Sequence, residues 1–215
     1  MLLASVSDER VSRVGVALIL AQARVDVPEF GAHTKEHQSI PNRGVHMSIA
    51  DTLLPEFDQE MATTRKVIER VPSDKGEFKP HPKSFSLGHL TQLVSMMPGW
   101  ITNAVTQTSL NLGGYPGYSY EKTEDLVKTF DKHVKEARKA IASARDTDFM
   151  VPWSLKRGDQ VFFTAPRAVI VRQTINHLVH HRGQLTVYLR LVDVPVPSIY
   201  GPTADEPVPG LSSAK

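Results

Sequence analysis

Apolar and polar positions along this chain fall into four stretches with the spacing of amphipathic helices, separated by loops rich in proline, glycine and lysine. In MSIADTLLPEFDQEMATTRKVIERV, which opens at Met47, Leu53, Phe57, Met61, Thr64, Ile68 and Val71 recur at intervals of three or four and predict a helix with one buried stripe. After the polar loop PSDKGEFKPHPKS a second pattern starts near Phe85, with Leu87, Leu90, Leu93, Val94 and Met97 apolar. Pro98-Gly99 is expected to kink or interrupt it, because proline lacks a backbone donor and crowds the preceding turn. The Gly/Tyr-rich loop NLGGYPGYSY leads to a third helix. There Thr123 has the character of an N-cap, Glu124 and Asp125 suit the dipole of the first turn, and Leu126, Phe130, Val134, Ala137 and Ile141 form the apolar face. Arg157-Gly158-Asp159 between short apolar runs predicts a small hairpin. The fourth and longest helix is expected over about 167–192. The tail PVPSIYGPTADEPVPG holds too many prolines to be helical and should lie as an ordered strap or a flexible end.

Four amphipathic segments with almost no strand signal favour an all-α fold, a four-helix bundle with a hairpin-like insertion before the last helix and a non-helical C-terminal tail. A length of 215 residues suits one domain, placed at 47–206. Residues 1–46 lack a sustained period and read as an extension, either disordered or the product of a start assigned ahead of Met47; residues 207–215 read as a flexible tail. Val14 to Ala23 (VGVALILAQA) ends in a small-x-small pattern, but Asp8 and Glu9 among Arg10 and Arg13 deny it the positive flank of an export signal. No apolar run approaches the roughly 20 residues that cross a bilayer, so the expectation is a cytoplasmic protein without a membrane partner.

Composition narrows the chemistry. The 40% apolar and 22% charged fractions are those of an ordinary globular chain. With 25 basic and 23 acidic residues the net charge is +2, and neither Lys nor Arg gathers into a block that would follow a phosphate backbone, which argues against nucleic acid. There is no cysteine, which excludes disulfides, thiolate metal sites and cysteine nucleophiles. No strained serine elbow and no Gly-rich phosphate loop occurs. A transition-metal site would have to use nitrogen and oxygen donors, and nine histidines can supply them.

The fourth helix contains NHLVHHRGQ, which sets His177 and His181 four residues apart and so on one face. An inner stripe runs through Thr174, His177, Leu178, His181, Leu185, Tyr188 and Val192 and takes in both histidines. His180 falls with Gln173, Asn176 and Gln184 on a more polar flank, so His181 is preferred to it. A third ligand would come from another helix, where His89, beside Leu90 and Leu93, is the best placed. The competing reading is that these are core or surface histidines with ordinary hydrogen bonds. His133, beside Asp131 and Lys132, is expected to be solvated; His33, His37 and His46 belong to the extension, and His81 lies in a proline-flanked loop. Trp100 and Trp153 read as packing residues. Gln184 and Tyr188 could orient a ligand or donate a hydrogen bond behind the histidines.

Gly88-His89-Leu90, the string His177-x-x-x-His181-Arg182-Gly183-Gln184 and the tail Tyr200-Gly201-Pro202-Thr203-Ala204-Asp205 together resemble the DinB-like (damage-inducible) metal-binding four-helix family, over about residues 47–206; Met47-Ser48-Ile49 also resembles a usual family beginning. The resemblance implies an up-down-down-up bundle, often a homodimer, with a divalent ion such as zinc or nickel on His89, His177 and His181. It leaves the reaction open. Some relatives are S-transferases or isomerases that use low-molecular-weight thiols, and others are described as metal-dependent hydrolases. The leading expectation is a metal-dependent enzyme in which the ion acidifies a bound thiol for S-transfer to a small-molecule substrate. No carboxylate is spaced as a general base beside the histidine pair, which sets hydrolysis second; a non-catalytic metal-binding or stress-response protein is the alternative from another class.

Overall fold

The computed structural model describes residues 47–114, 117–119 and 121–207. The expectations for 1–46, including Val14 to Ala23 and His33, His37 and His46, and for 208–215, fall outside the described residues.

Helix α1 spans Ile49–Ile68. Ser48 caps it: its hydroxyl accepts from the Asp51 N–H and the Asp51 carboxylate accepts from the Ser48 N–H, each at 3.1 Å. The stripe Leu53, Phe57, Met61, Thr64, Ile68 and Val71 is buried as its spacing predicts. Helix α2 spans Leu87–Thr106 and begins at Ser86, whose hydroxyl accepts from the His89 N–H. It continues through Pro98 for two further turns, which bury Ile101, Ala104 and Val105. Tertiary packing outweighs the one backbone bond that proline removes.

Helix α3 spans Thr123–Ser143. Thr123 is its first helical residue and not its N-cap. The Thr123 hydroxyl donates instead to the Val71 carbonyl at 2.6 Å, and Ser73 Oγ, in the α1–α2 loop, accepts from the Thr123 N–H at 3.0 Å. The start of α3 is thus capped from a distant segment, which local spacing cannot reveal. His133 is half-buried, not solvated: its Nδ1 donates to the Ser95 carbonyl at 3.3 Å, and its ring lies 3.3 Å from where a side chain on Gly99 would stand. Gly99 lets α2 and α3 approach there.

A short helix α4, Asp146–Phe149, precedes strands β2 (Pro152–Arg157) and β3 (Gln160–Pro166), which form the expected antiparallel hairpin, turning at Gly158 with φ of 57°. Strand β1 (Ser109–Asn111) adds to β2 in parallel and makes a three-stranded sheet that the all-α expectation lacked. Three residues are too few for a period to show. The buried Trp153 ties this sheet to α2 through its indole N–H, which donates to Asn103 Oδ1 at 3.0 Å.

Helix α5 spans Arg167–Leu191 and packs against both α1 and α2, while α3 packs against the same two helices from the other side. The chain is therefore mostly helical, with its core between these four long helices. Beyond α5 the tail is an ordered strap: Asp205 Oδ2 accepts from the Val196 N–H at 2.8 Å, Glu206 Oε2 from the Ser198 N–H at 2.9 Å, and the Thr203 hydroxyl donates to the Val196 carbonyl. Arg190 and Arg70 pair with Asp205 and Glu206. Among the described residues no helix is long and apolar enough to cross a membrane.

Candidate functional site

His177 and His181 lie one turn apart on the face of α5 that enters the core, each 4% exposed. Their Nε2 atoms stand 2.8 Å apart. His181 Nδ1 lies 2.8 Å from Gln184 Oε1, and Gln184 Nε2 lies 3.1 Å from the Nε2 of His180, which is exposed as its polar flank predicts. The Trp100 ring closes over His177 at a centroid distance of 6.0 Å. Burial holds the His177 imidazole far below its ordinary range, at about 3, with smaller contributions from the neighbouring His181 and His180 rings. His181 is lowered chiefly by burial, against which its bond to Gln184 works, and further by His180. Both rings are neutral at pH 7, the form in which an imidazole binds a metal.

His89 sits in the first turn of α2. Its half-buried ring lies between Phe85, at a centroid distance of 4.3 Å, and Tyr118, stacked at 4.6 Å with an interplanar angle of 18°. Gly88 makes this closeness possible: a methyl group there would stand 2.7 Å from the Tyr118 hydroxyl and 3.2 Å from the Gly76 carbonyl. Gln92, one turn on, donates to Ser119 Oγ at 3.0 Å and accepts from the Ser119 N–H, which fastens the same loop. The Tyr188 hydroxyl donates to the Phe85 carbonyl at 3.3 Å, so it braces the segment leading to His89 rather than touching the histidine pair.

Of the three candidate ligands, His177 and His181 are thus brought together. Among the described residues, no three His, Asp or Glu side chains are grouped to hold a metal ion. The pair itself has the donor chemistry of a metal site. Two imidazole nitrogens bound at ~2.0–2.1 Å to a tetrahedral zinc stand about 3.4 Å apart, so the two Nε2 atoms would need to part by about half an ångström. His177 Nδ1 is buried with no hydrogen-bond partner among the described residues. On binding a cation through Nε2, His177 would carry its proton there, as an N–H for which the described residues offer no acceptor.

Beside this pair lies a polar cluster that the helical spacing leaves unassigned. Arg182, 1% exposed, pairs with the buried Glu60 of α1 at 2.6 Å. It donates also to the Glu60 carbonyl and Thr64 Oγ1, each at 3.2 Å, and to the Tyr200 hydroxyl at 2.7 Å. The Tyr200 hydroxyl in turn donates to the Glu60 carboxylate at 2.8 Å. A signal does exist in the sequence: Arg182 lies four residues after Leu178 and three before Leu185, inside the apolar stripe.

The fold has counterparts among known proteins. At 24% identity over 156 residues, 73% of this chain and 90% of the relative, the chain is similar to the uncharacterized protein YrdA of Bacillus subtilis. A DinB-like protein from Bacillus cereus superposes with a TM-score of 0.56 at 20% identity, covering 73% of this chain and all of that one. One from Bacillus subtilis does so with a TM-score of 0.56 at 15% identity, covering 69% and 97%. The DinB family model matches residues 45–209, and the chain belongs to the DinB family.

Proposed function

We propose that this protein binds a divalent metal ion, zinc or nickel, on His177 and His181, with His89 as third ligand, and uses it to activate a low-molecular-weight thiol for S-transfer to a small-molecule electrophile. The reading is carried by the convergence of two buried, neutral imidazole nitrogens on one point. When bound, the ion would supply Lewis acidity and lower the pKa of a thiol. The residues around it do the rest. Gln184 holds the His181 ring by its Nδ1, and Trp100 shields His177 from water. His89 would join by leaving its place against Tyr118. The four long helices would form the up-down-down-up bundle, working as a cytoplasmic homodimer.

Elemental analysis and zinc or nickel titration of the purified chain, beside His177→Ala, His181→Ala and His89→Ala, test the site. One ion per chain, lost in the first two variants and weakened in the third, is the expected result. Full retention in His177→Ala removes the proposal. Consumption of glutathione with an aryl halide, dependent on added metal, tests the reaction.

A further inference from the structure

The hydrogen-bond chain that leads outward from the histidine pair has a direction, and the amide of Gln184 marks it. A glutamine amide has two unlike ends: its oxygen only accepts and its nitrogen only donates. Gln184 turns its Nε2 to the ring nitrogen of His180 at 3.1 Å and its Oε1 to His181 Nδ1 at 2.8 Å. An oxygen at that position requires His181 to carry its proton on Nδ1. The Nε2 of His181 is then a lone pair pointing inward at His177, whose Nε2 must donate across the 2.8 Å contact. His177 Nδ1 is left as a bare acceptor, in keeping with its lack of a partner.

Reversing the amide reverses every member. Its nitrogen would face His181 Nδ1, the proton of His181 would lie on Nε2, and His177 would hold a buried N–H at Nδ1 with nothing to accept it. An orphaned buried N–H is rarer in proteins than an under-used acceptor.

We propose that Gln184, oriented by His180, is a positioning residue that fixes His181 as its Nδ1–H tautomer and so turns the Nε2 lone pair into the buried site. That is the polarity a cationic ligand needs at His181, whereas His177 would first give up its Nε2 proton, and in this respect the inference rests on the metal-site reading. It also accounts for His180, the histidine outside the inner stripe, whose lone pair anchors the amide.

The experiment uses the full chain, 15N-labelled and free of metal, at neutral pH. Long-range 1H–15N correlations of the imidazoles separate the two tautomers. Wild type should show His181 protonated at Nδ1 and His177 at Nε2. Gln184→Leu should leave His181 a mixture, Gln184→Glu should keep the Nδ1–H form because a carboxylate also accepts, and His180→Lys should shift His181 towards Nε2–H because an ammonium can only donate to Oε1. Zinc affinity by calorimetry should fall on the order of 10- to 100-fold in Gln184→Leu and largely return in Gln184→Glu. A wild-type His181 protonated at Nε2, or an unchanged tautomer in a folded Gln184→Leu, overturns the inference. Failure of wild type to bind zinc defeats the metal reading instead, while the metal-free spectra still decide the tautomer.

Discussion

His181 and Arg182 are neighbours on one helix, both buried, yet their polar atoms are treated in opposite ways. Around Arg182 the charge is neutralised by Glu60, and the guanidinium donates to a carboxylate, a carbonyl and two hydroxyls drawn from α1 and the C-terminal strap. Around His181 the bonds run outward to Gln184 and inward only to His177, where they stop at a nitrogen with no partner. Burying a polar group costs free energy unless its hydrogen bonds are made again inside. The saturated cluster therefore reads as structure, a rivet joining α1, α5 and the strap. The unsaturated pair is the feature on which the proposed metal site rests.

This contrast can be broken most forcefully on the saturated side. Arg182→Leu would leave the Glu60 carboxylate buried without its cation and should lower stability in urea unfolding by about 3–5 kcal/mol; Arg182→Leu with Glu60→Leu should recover much of that loss. A mild Arg182→Leu phenotype would mean that Glu60 reaches water and the cluster is no rivet.

Acid should act through the histidine pair. Burial keeps the folded His177 at about 3 while the unfolded chain takes a proton near the ordinary histidine value, so below pH 6.5 the unfolded state binds the extra proton. Stability should then fall as pH drops, by about 1.4 kcal/mol per pH unit for this one group, from near pH 6.5 down towards its folded pKa. A His177→Leu variant should show a shallower acid limb in thermal or urea unfolding; an identical limb would show that the pair is hydrated.

Tyr200→Phe removes one hydroxyl that serves both Arg182 and Glu60 and should cost about 1–2 kcal/mol, with the strap more open to proteolysis. The smallest change in stability belongs to His177→Leu at pH 8. The substitution removes the unpartnered Nδ1 but also the Nε2 that bonds His181, so it should cost about 1 kcal/mol while abolishing metal binding. A loss as large as that of Arg182→Leu would erase the contrast.

The parts of this molecule that repeat are legible in its sequence. The stripe of α1 and the inner face of α5 put Leu53, Phe57, His177 and His181 in the core because helical periodicity is local information. What depends on a distant partner is not legible. Thr123 has the residue type and place of a cap, yet its hydroxyl serves Val71. His133 has the charged neighbours of a solvated residue, but Gly99 opens a seat for it on α2. Pro98 has every local reason to disturb a helix that packing on both flanks carries through. At the site, spacing puts His181 in the core and His180 outside it, as the burial shows, but gives no hint that His180 bonds Gln184, since that link depends on which end of an amide faces which ring. His89 is the reverse case. Resemblance names it, while its ring rests against Phe85 and Tyr118.

The parallel pairing of Ser109 with Ser154 has a consequence for how the molecule assembles. β2 and β3 meet across a two-residue turn and can close early, as a local event. β1 cannot join them until the whole of α3 has been laid down between, because the chain linking Ser109 to Ser154 runs through that helix. Closing so long a loop for a three-residue strand repays little entropy until the helices already hold its ends. The third strand should therefore dock after the folding barrier has been crossed, so that substitutions in β1 speed unfolding and leave the folding rate nearly untouched.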